Sequence, residues 1–163
     1  MTATTNESSV RRSIVVDAPI EHVFKVFTAE MGSWWDPSKH LIDGFKEMVV
    51  EPRTGGRIID YAHDGTTCAW ARVLAYDPPN RFAFSWDINL AWQIEADPKR
   101  ASEVDVRFVS EGPDRTRVEL EHKHLDRHGD GWEAMRDAVG SPNGWDLTSF
   151  AQVAGAATPV TDR

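Results

Sequence analysis

At 163 residues, 40% apolar and 27% charged, the chain has the length of one domain and needs no metal or disulfide staple. A formal net charge of −8, with no basic run longer than Arg11-Arg12, argues against nucleic acid or an anionic membrane as the main partner. The single Cys68 excludes an internal disulfide, and with no apolar leader and no run of ~18 apolar residues the expected location is cytoplasmic, with no membrane span.

Residues 1–8 are small and polar and read as a disordered N-terminus. From Ser9 the chain alternates, with Val10, Ile14 and Val16 against Arg11, Ser13 and Asp17, which predicts a first strand. Pro19 suits the first position of a helix whose apolar stripe is Val23, Phe24, Val26 and Phe27. Gly32-Ser33-Trp34-Trp35-Asp36-Pro37 ends that helix and leaves room for a second short one. Six strands follow: 45–51, 56–63, 67–76, 81–88, 102–110 and 115–125. Pro, Gly, Asn and Asp clusters separate them, and the spacing predicts an antiparallel meander. After Gly129 the pattern turns helical over Trp132–Val139, is interrupted at Gly140-Ser141-Pro142, and resumes as a last helix from Gly144 to Ala157. There Leu147, Phe150, Ala151 and Ala154 share one face, Asn143 is the expected N-cap and Asp146 suits the first turn. Residues 158–163 are read as a flexible C-terminus. The predicted class is α+β, with a curved sheet wrapped around the last helix and a pocket where the two do not close.

The opening strand with VDAPIEHVFKVFT, the segment WARVLAYDPPNRFAFSW and the ending HGDGWEAM…GWDLTSF resemble the START-like superfamily. Within it they resemble the branch named for the activator of the heat-shock-protein-90 ATPase. The resemblance spans residues 9–157, read as one START-like domain. It implies a helix-grip fold: an antiparallel sheet of about six or seven strands gripping a long C-terminal helix over a hydrophobic cavity.

Candidate pocket residues come from three places. Phe82, Phe84 and Trp86 share a strand face, as do Val104, Val106 and Phe108, with Trp70 and Trp92 on the same meander. Leu120 and His122 continue the inward face of the last strand, with His124 expected beside them. Leu147 and Phe150 face the sheet from the last helix, and Trp34 and Trp35 sit in the loop after the first helix. For any one aromatic, core packing is the plainer reading; as a set they favour a ligand pocket.

His122 is the expected polar anchor. A metal shared by His122 and His124 would need His63, His40 or His128 as third ligand, and no metal or cofactor is expected. Arg72, read on one face with Cys68, Trp70 and Leu74, is expected to pair with Asp60 or Glu95, and Asp105 and Arg107 to face solvent. Cys68 reads as an inert mid-strand thiol. GxGxxG, P-loop, GxSxG, CxxC and HExxH motifs are absent. The expected function is binding of a small, apolar or amphipathic molecule. The alternative is a cyclase- or dehydratase-type enzyme with His122 or His124 as acid/base. A co-chaperone role comes third, and a homodimer is expected only from its frequency among small proteins.

Overall fold

The computed structural model describes residues 8–36, 39–141, 144–145 and 147–156. Strands β1 (Val10–Val16), β2 (Phe45–Val50), β3 (Arg57–Ala62), β4 (Thr67–Asp77), β5 (Arg81–Trp86), β6 (Ser102–Gly112) and β7 (Arg115–Lys123) form one antiparallel sheet. Its order is β1-β7-β6-β5-β4-β3-β2, so the first strand pairs with the last, Val10 opposite His122 and Val16 opposite Thr116. Each expected strand is found, displaced by two residues at most. The reason is local: turn residues end each strand, and the period-two pattern sets which side faces in.

The crossover from one sheet edge to the other carries α1 (Ile20–Thr28) and α2 (Met31–Trp34). Pro19 stands one position earlier than expected, as the extended residue that caps α1. The predicted stripe of α1 is buried, and Phe24 and Phe27 lie 5.1 and 5.7 Å from Phe108 on β6. After β7 come α3 (Trp132–Val139) and α4 (Thr148–Ala156), which crosses α1 and β1. Leu147, Phe150 and Ala154 are buried as predicted, and Ala151 is half-buried. Among the described residues no helix is long and apolar enough to cross a membrane. Asn143, Asp146, Ala157, the expected flexible end at 158–163 and all but Ser8 of the expected disordered N-terminus at 1–8 lie outside the described residues, and the Ser8 carbonyl accepts from the Leu125 N–H at 2.9 Å.

Two departures from simple periodicity shape the interior. The last helix starts at Thr148, not Gly144. Gly144 and Trp145 instead form a turn in which the Trp145 N–H donates to the Val139 carbonyl at 2.8 Å, closing the end of α3. A side chain at 144 would collide with that carbonyl, so only glycine allows the turn. In β4, Ile58 faces Ala71 and Ile59 faces Ala69, leaving Trp70 as the extra residue of a bulge. Trp70 and Ala71 are therefore both buried, and Arg72 turns to the opposite side of the sheet. There it makes a two-pronged pair with Asp87, at 3.0 and 3.1 Å, rather than with Asp60 or Glu95.

Asp105 corrects a second expectation. It does face outward, but Arg81 grips it with two 3.0 Å hydrogen bonds and Lys123 and Arg107 close over it, leaving the side chain 6% exposed. Burial alone would raise its carboxyl; the hydrogen bonds and charge of Arg81, with Lys123 and Arg107, outweigh this and hold it below the usual carboxylate range. Replacing Asp105 by Ala is expected to cost about 1–3 kcal/mol, since charge-assisted bonds are lost but the cations can re-enter water. Asp105's contribution is present above the unfolded-state pKa and is lost as pH falls through the depressed folded one. Urea titrations at pH 7 and in acid check both statements; an unchanged D105A midpoint at pH 7 would overturn them.

Candidate functional site

The core is not filled evenly. At the α1 end, rings from the helices and sheet interlock; towards β3–β5 and the α3–α4 turn lies a cavity of about 880 Å³. Six of the seven tryptophans line it: Trp34, Trp35, Trp70, Trp86, Trp92 and Trp145. Trp70 and Trp86 come from adjacent strands, their rings 5.8 Å apart. Trp35 reaches from the end of α2 to within 5.2 Å of Trp70, and Trp145 from the α3–α4 turn to within 5.7 Å of both Trp35 and Trp86. These four indoles frame an aromatic box from segments far apart in sequence. Ser149 and Gln152 of α4 close one side.

Indole N–H groups need partners when buried. Those of Trp34, Trp35 and Trp70 donate to the Val26 carbonyl, the Lys39 carbonyl and the Asp60 carboxylate at 3.1, 2.9 and 3.3 Å. Trp86 Nε1 is buried with no partner among the described residues. His40 Nε2, in another wall residue, is in the same state, while its Nδ1 lies 2.8 Å from Asp60. The His40 ring is stacked on Phe45 at 3.6 Å.

Trp92 stands at the rim, 49% exposed. Its loop is folded by Asn89, whose side-chain oxygen accepts from the N–H groups of Ala91 and Gln93 at 2.9 and 3.0 Å. Trp92 itself takes a left-handed backbone, φ +60°, uncommon for a bulky residue.

His122 lies behind this wall. The Trp145 N–H donates to its Nδ1 at 3.0 Å, so the proton of the neutral ring sits on Nε2 and is given to Ser102 Oγ at 2.8 Å. Ser102 can then donate to His128 Nε2, also 2.8 Å away. Burial first, then the nearby His128, push the His122 pKa down to about 3, and the Trp145 N–H aimed at Nδ1 leaves a second proton no acceptor. His122 is thus a neutral, fully bonded core residue, and both of its nitrogens are occupied by protein. His124 does not share its face: with φ +61° it ends the strand and is exposed. His128, not His124, is the imidazole the fold brings near His122, through Ser102. Among the described residues no group of three or more His, Cys, Asp or Glu could hold a metal.

The candidate residues therefore divide. Trp34, Trp35, Trp70 and Trp86 form cavity wall, and Trp92 its rim. Phe84, Phe108, Leu120, Leu147 and Phe150 are buried in the packed core beside it. Trp145 also lines the cavity; the helical pattern places it in the last helix, although its neighbour Gly144 signals the turn that the structure forms there. The sequence offers His40 only as a metal ligand and Asp60 only as a partner for Arg72. Cys68 is half-buried, and burial, with Asp60 nearby, raises its thiol pKa, so it is a poor nucleophile.

A curved antiparallel sheet packed on helices, with an aromatic cavity between them, is the architecture of a helix-grip protein. The family model described as "Activator of Hsp90 ATPase homolog 1-like protein" matches residues 17–150, and the chain belongs to that family. Among solved structures it is similar to an anthrahydroquino-γ-pyrone synthase, Txn09, at 44% identity over 89% of this chain and 96% of that one, with TM-score 0.64. It is also similar to CalC, a self-sacrificing resistance protein from Micromonospora echinospora, at 28% identity over 93% and 94% of the two chains, TM-score 0.63. An Hsp90 activator from Plasmodium falciparum, 20% identical over 80% and 86% of the two chains with TM-score 0.50, shares the fold. No curated protein sequence matches the chain.

Proposed function

We propose that this chain binds a flat, largely apolar polycyclic molecule in the cavity between the sheet and α4. The observation that carries this reading is the cavity itself: about 880 Å³, walled by indoles from four separate segments. Its volume lies in the range of small-molecule sites. Indole faces suit a planar ring system, and burying ~200 Å² of apolar ligand surface contributes roughly 5 kcal/mol before association costs. The 44% identity to a synthase named for an anthrahydroquinone-derived product supports an aromatic polycycle over an acyl chain.

The test is a titration with anthraquinone, read by quenching of tryptophan fluorescence, against a variant that fills the cavity from its helical side. Gln152 is exposed and lines the cavity, so Gln152→Trp adds volume there without opening the core. Saturable quenching of the wild type is expected, with affinity at least about tenfold weaker in Gln152→Trp and an unchanged melting temperature. Equal affinity in both proteins would place the ligand elsewhere, and no quenching in the wild type would end the proposal.

A further inference from the structure

We propose that His40, paired with Asp60, is a general acid–base group that takes a proton from a hydroxyl of the molecule bound in the cavity. This rests on the binding reading above and makes the cavity a catalytic one. Three observations converge on it. The His40 imidazole and Asp60 carboxylate are 3% and 2% exposed and lie 2.8 Å apart, and both belong to residues of the cavity wall. The second carboxylate oxygen is held by the Trp70 N–H at 3.3 Å, and the imidazole is stacked flat on Phe45, so neither group is free to turn. Among the described residues His40 Nε2 has no partner, and neither has Trp86 Nε1 on the same wall.

An unpartnered buried polar atom costs roughly 1–3 kcal/mol, and a domain carries few of them. His40 and Trp86 both line the cavity, and a base and an N–H donor are the two parts that deprotonating a hydroxyl requires. Trp70 joins them, since its N–H holds Asp60 and its ring is 5.8 Å from that of Trp86.

The chemistry follows from the tautomer. Asp60 accepts from Nδ1–H, which leaves the lone pair of the neutral ring on Nε2. A phenolic or enolic O–H presented there gives its proton to Nε2, and the electron pair stays on the substrate oxygen as aryloxide or enolate. The imidazolium is stabilised by Asp60, the oxyanion by the Trp86 N–H, and the proton returns to the substrate from Nε2 at the end. No oxidant or second reactant is consumed. His40 is the catalytic residue; Asp60, acting through it, is a positioning residue. His122, with both nitrogens bonded to protein, is not available for this step.

The probe is 2-hydroxyanthraquinone, whose phenol and phenolate differ in visible absorbance, with anthraquinone as the companion lacking the hydroxyl. Both are added to wild type, His40→Gln and Asp60→Asn at a pH where the free probe is the neutral phenol. Expected are the phenolate band in the wild type and the phenol band in both variants, with anthraquinone titrated into each protein to set the occupancy at which the bands are compared. Asp60→Asn acts because an amide can donate to Nδ1, which moves the ring proton to Nε2 and removes the base. It also decides the matter if His40→Gln fails to fold. A neutral phenol in the wild type, or a phenolate band undiminished in either variant, overturns the inference and leaves the binding reading intact. Failure of both probes to bind the wild type removes both.

Discussion

Phe27→Ala is expected to lower the unfolding free energy by about 3–5 kcal/mol, a large share of the 5–15 typical of a domain. Phe27 is fully buried, and its ring lies 4.9 Å from Trp34, 5.1 Å from Phe150, 5.7 Å from Phe108 and 6.3 Å from Phe82. It therefore joins α1 to α2, α4, β5 and β6 at one point. Removing it opens a void that rings from both layers would have to move together to fill, and ring packing in edge-to-face geometry would be lost with the buried area. Urea unfolding measures the loss. Trp92→Ala is the control, since a half-exposed rim residue should change stability by no more than about 0.5 kcal/mol. A Phe27→Ala cost below about 1 kcal/mol would show that the core closes over the gap. Because Trp34 leans on Phe27, anthraquinone affinity should fall in the same variant.

The second large effect is loss of stability in mild acid through His122. Its ordinary pKa is 6.5 and its folded value about 3. The unfolded chain therefore binds a proton that the folded protein refuses. The sign follows: stability is full above about 6.5 and falls as pH drops towards 3, by about 1.4 kcal/mol per pH unit. His128 is shifted in the same direction, by burial first, with Glu95 opposing and Arg100 reinforcing, and adds to the loss. Asp105 acts lower, below about pH 4, so the two windows separate. Replacing His122 by Gln keeps a carbonyl for the Trp145 N–H and an amide donor for Ser102 but removes the titration. This variant should be less stable at pH 7 and should show a shallower decline between pH 6.5 and 4.5 when urea midpoints are compared. Parallel decline in the two proteins would exclude His122 as the source.

The contrast between His122 and His40 shows what spacing can and cannot reveal. His122 follows Val118 and Leu120 at period two, so its inward side was legible. That it would be sealed behind Trp145 and tied to Ser102 and His128 was not, because those partners come from β6, the α3–α4 turn and the segment after β7. His124 breaks the same pattern because the chain leaves the strand there through a left-handed residue. His40 sits in a connector with no periodicity, and nothing in its surroundings pointed to Asp60, 20 residues on, as its partner.

The amino-acid sequence by itself determined the strands, α1, the buried stripe of α4, the α+β class and the family, because these rest on local periodicity, turn residues and short-range motifs. Only the tertiary structure decided the site. A bulge carries Trp70 inward, a glycine turn ends α3 and delivers Trp145 to the wall, and the sheet order brings β3 and the 39–44 connector together as a His–Asp pair. Each of these is set by which backbone groups pair across the sheet or close a turn, and such long-range pairing leaves no periodic trace in the chain.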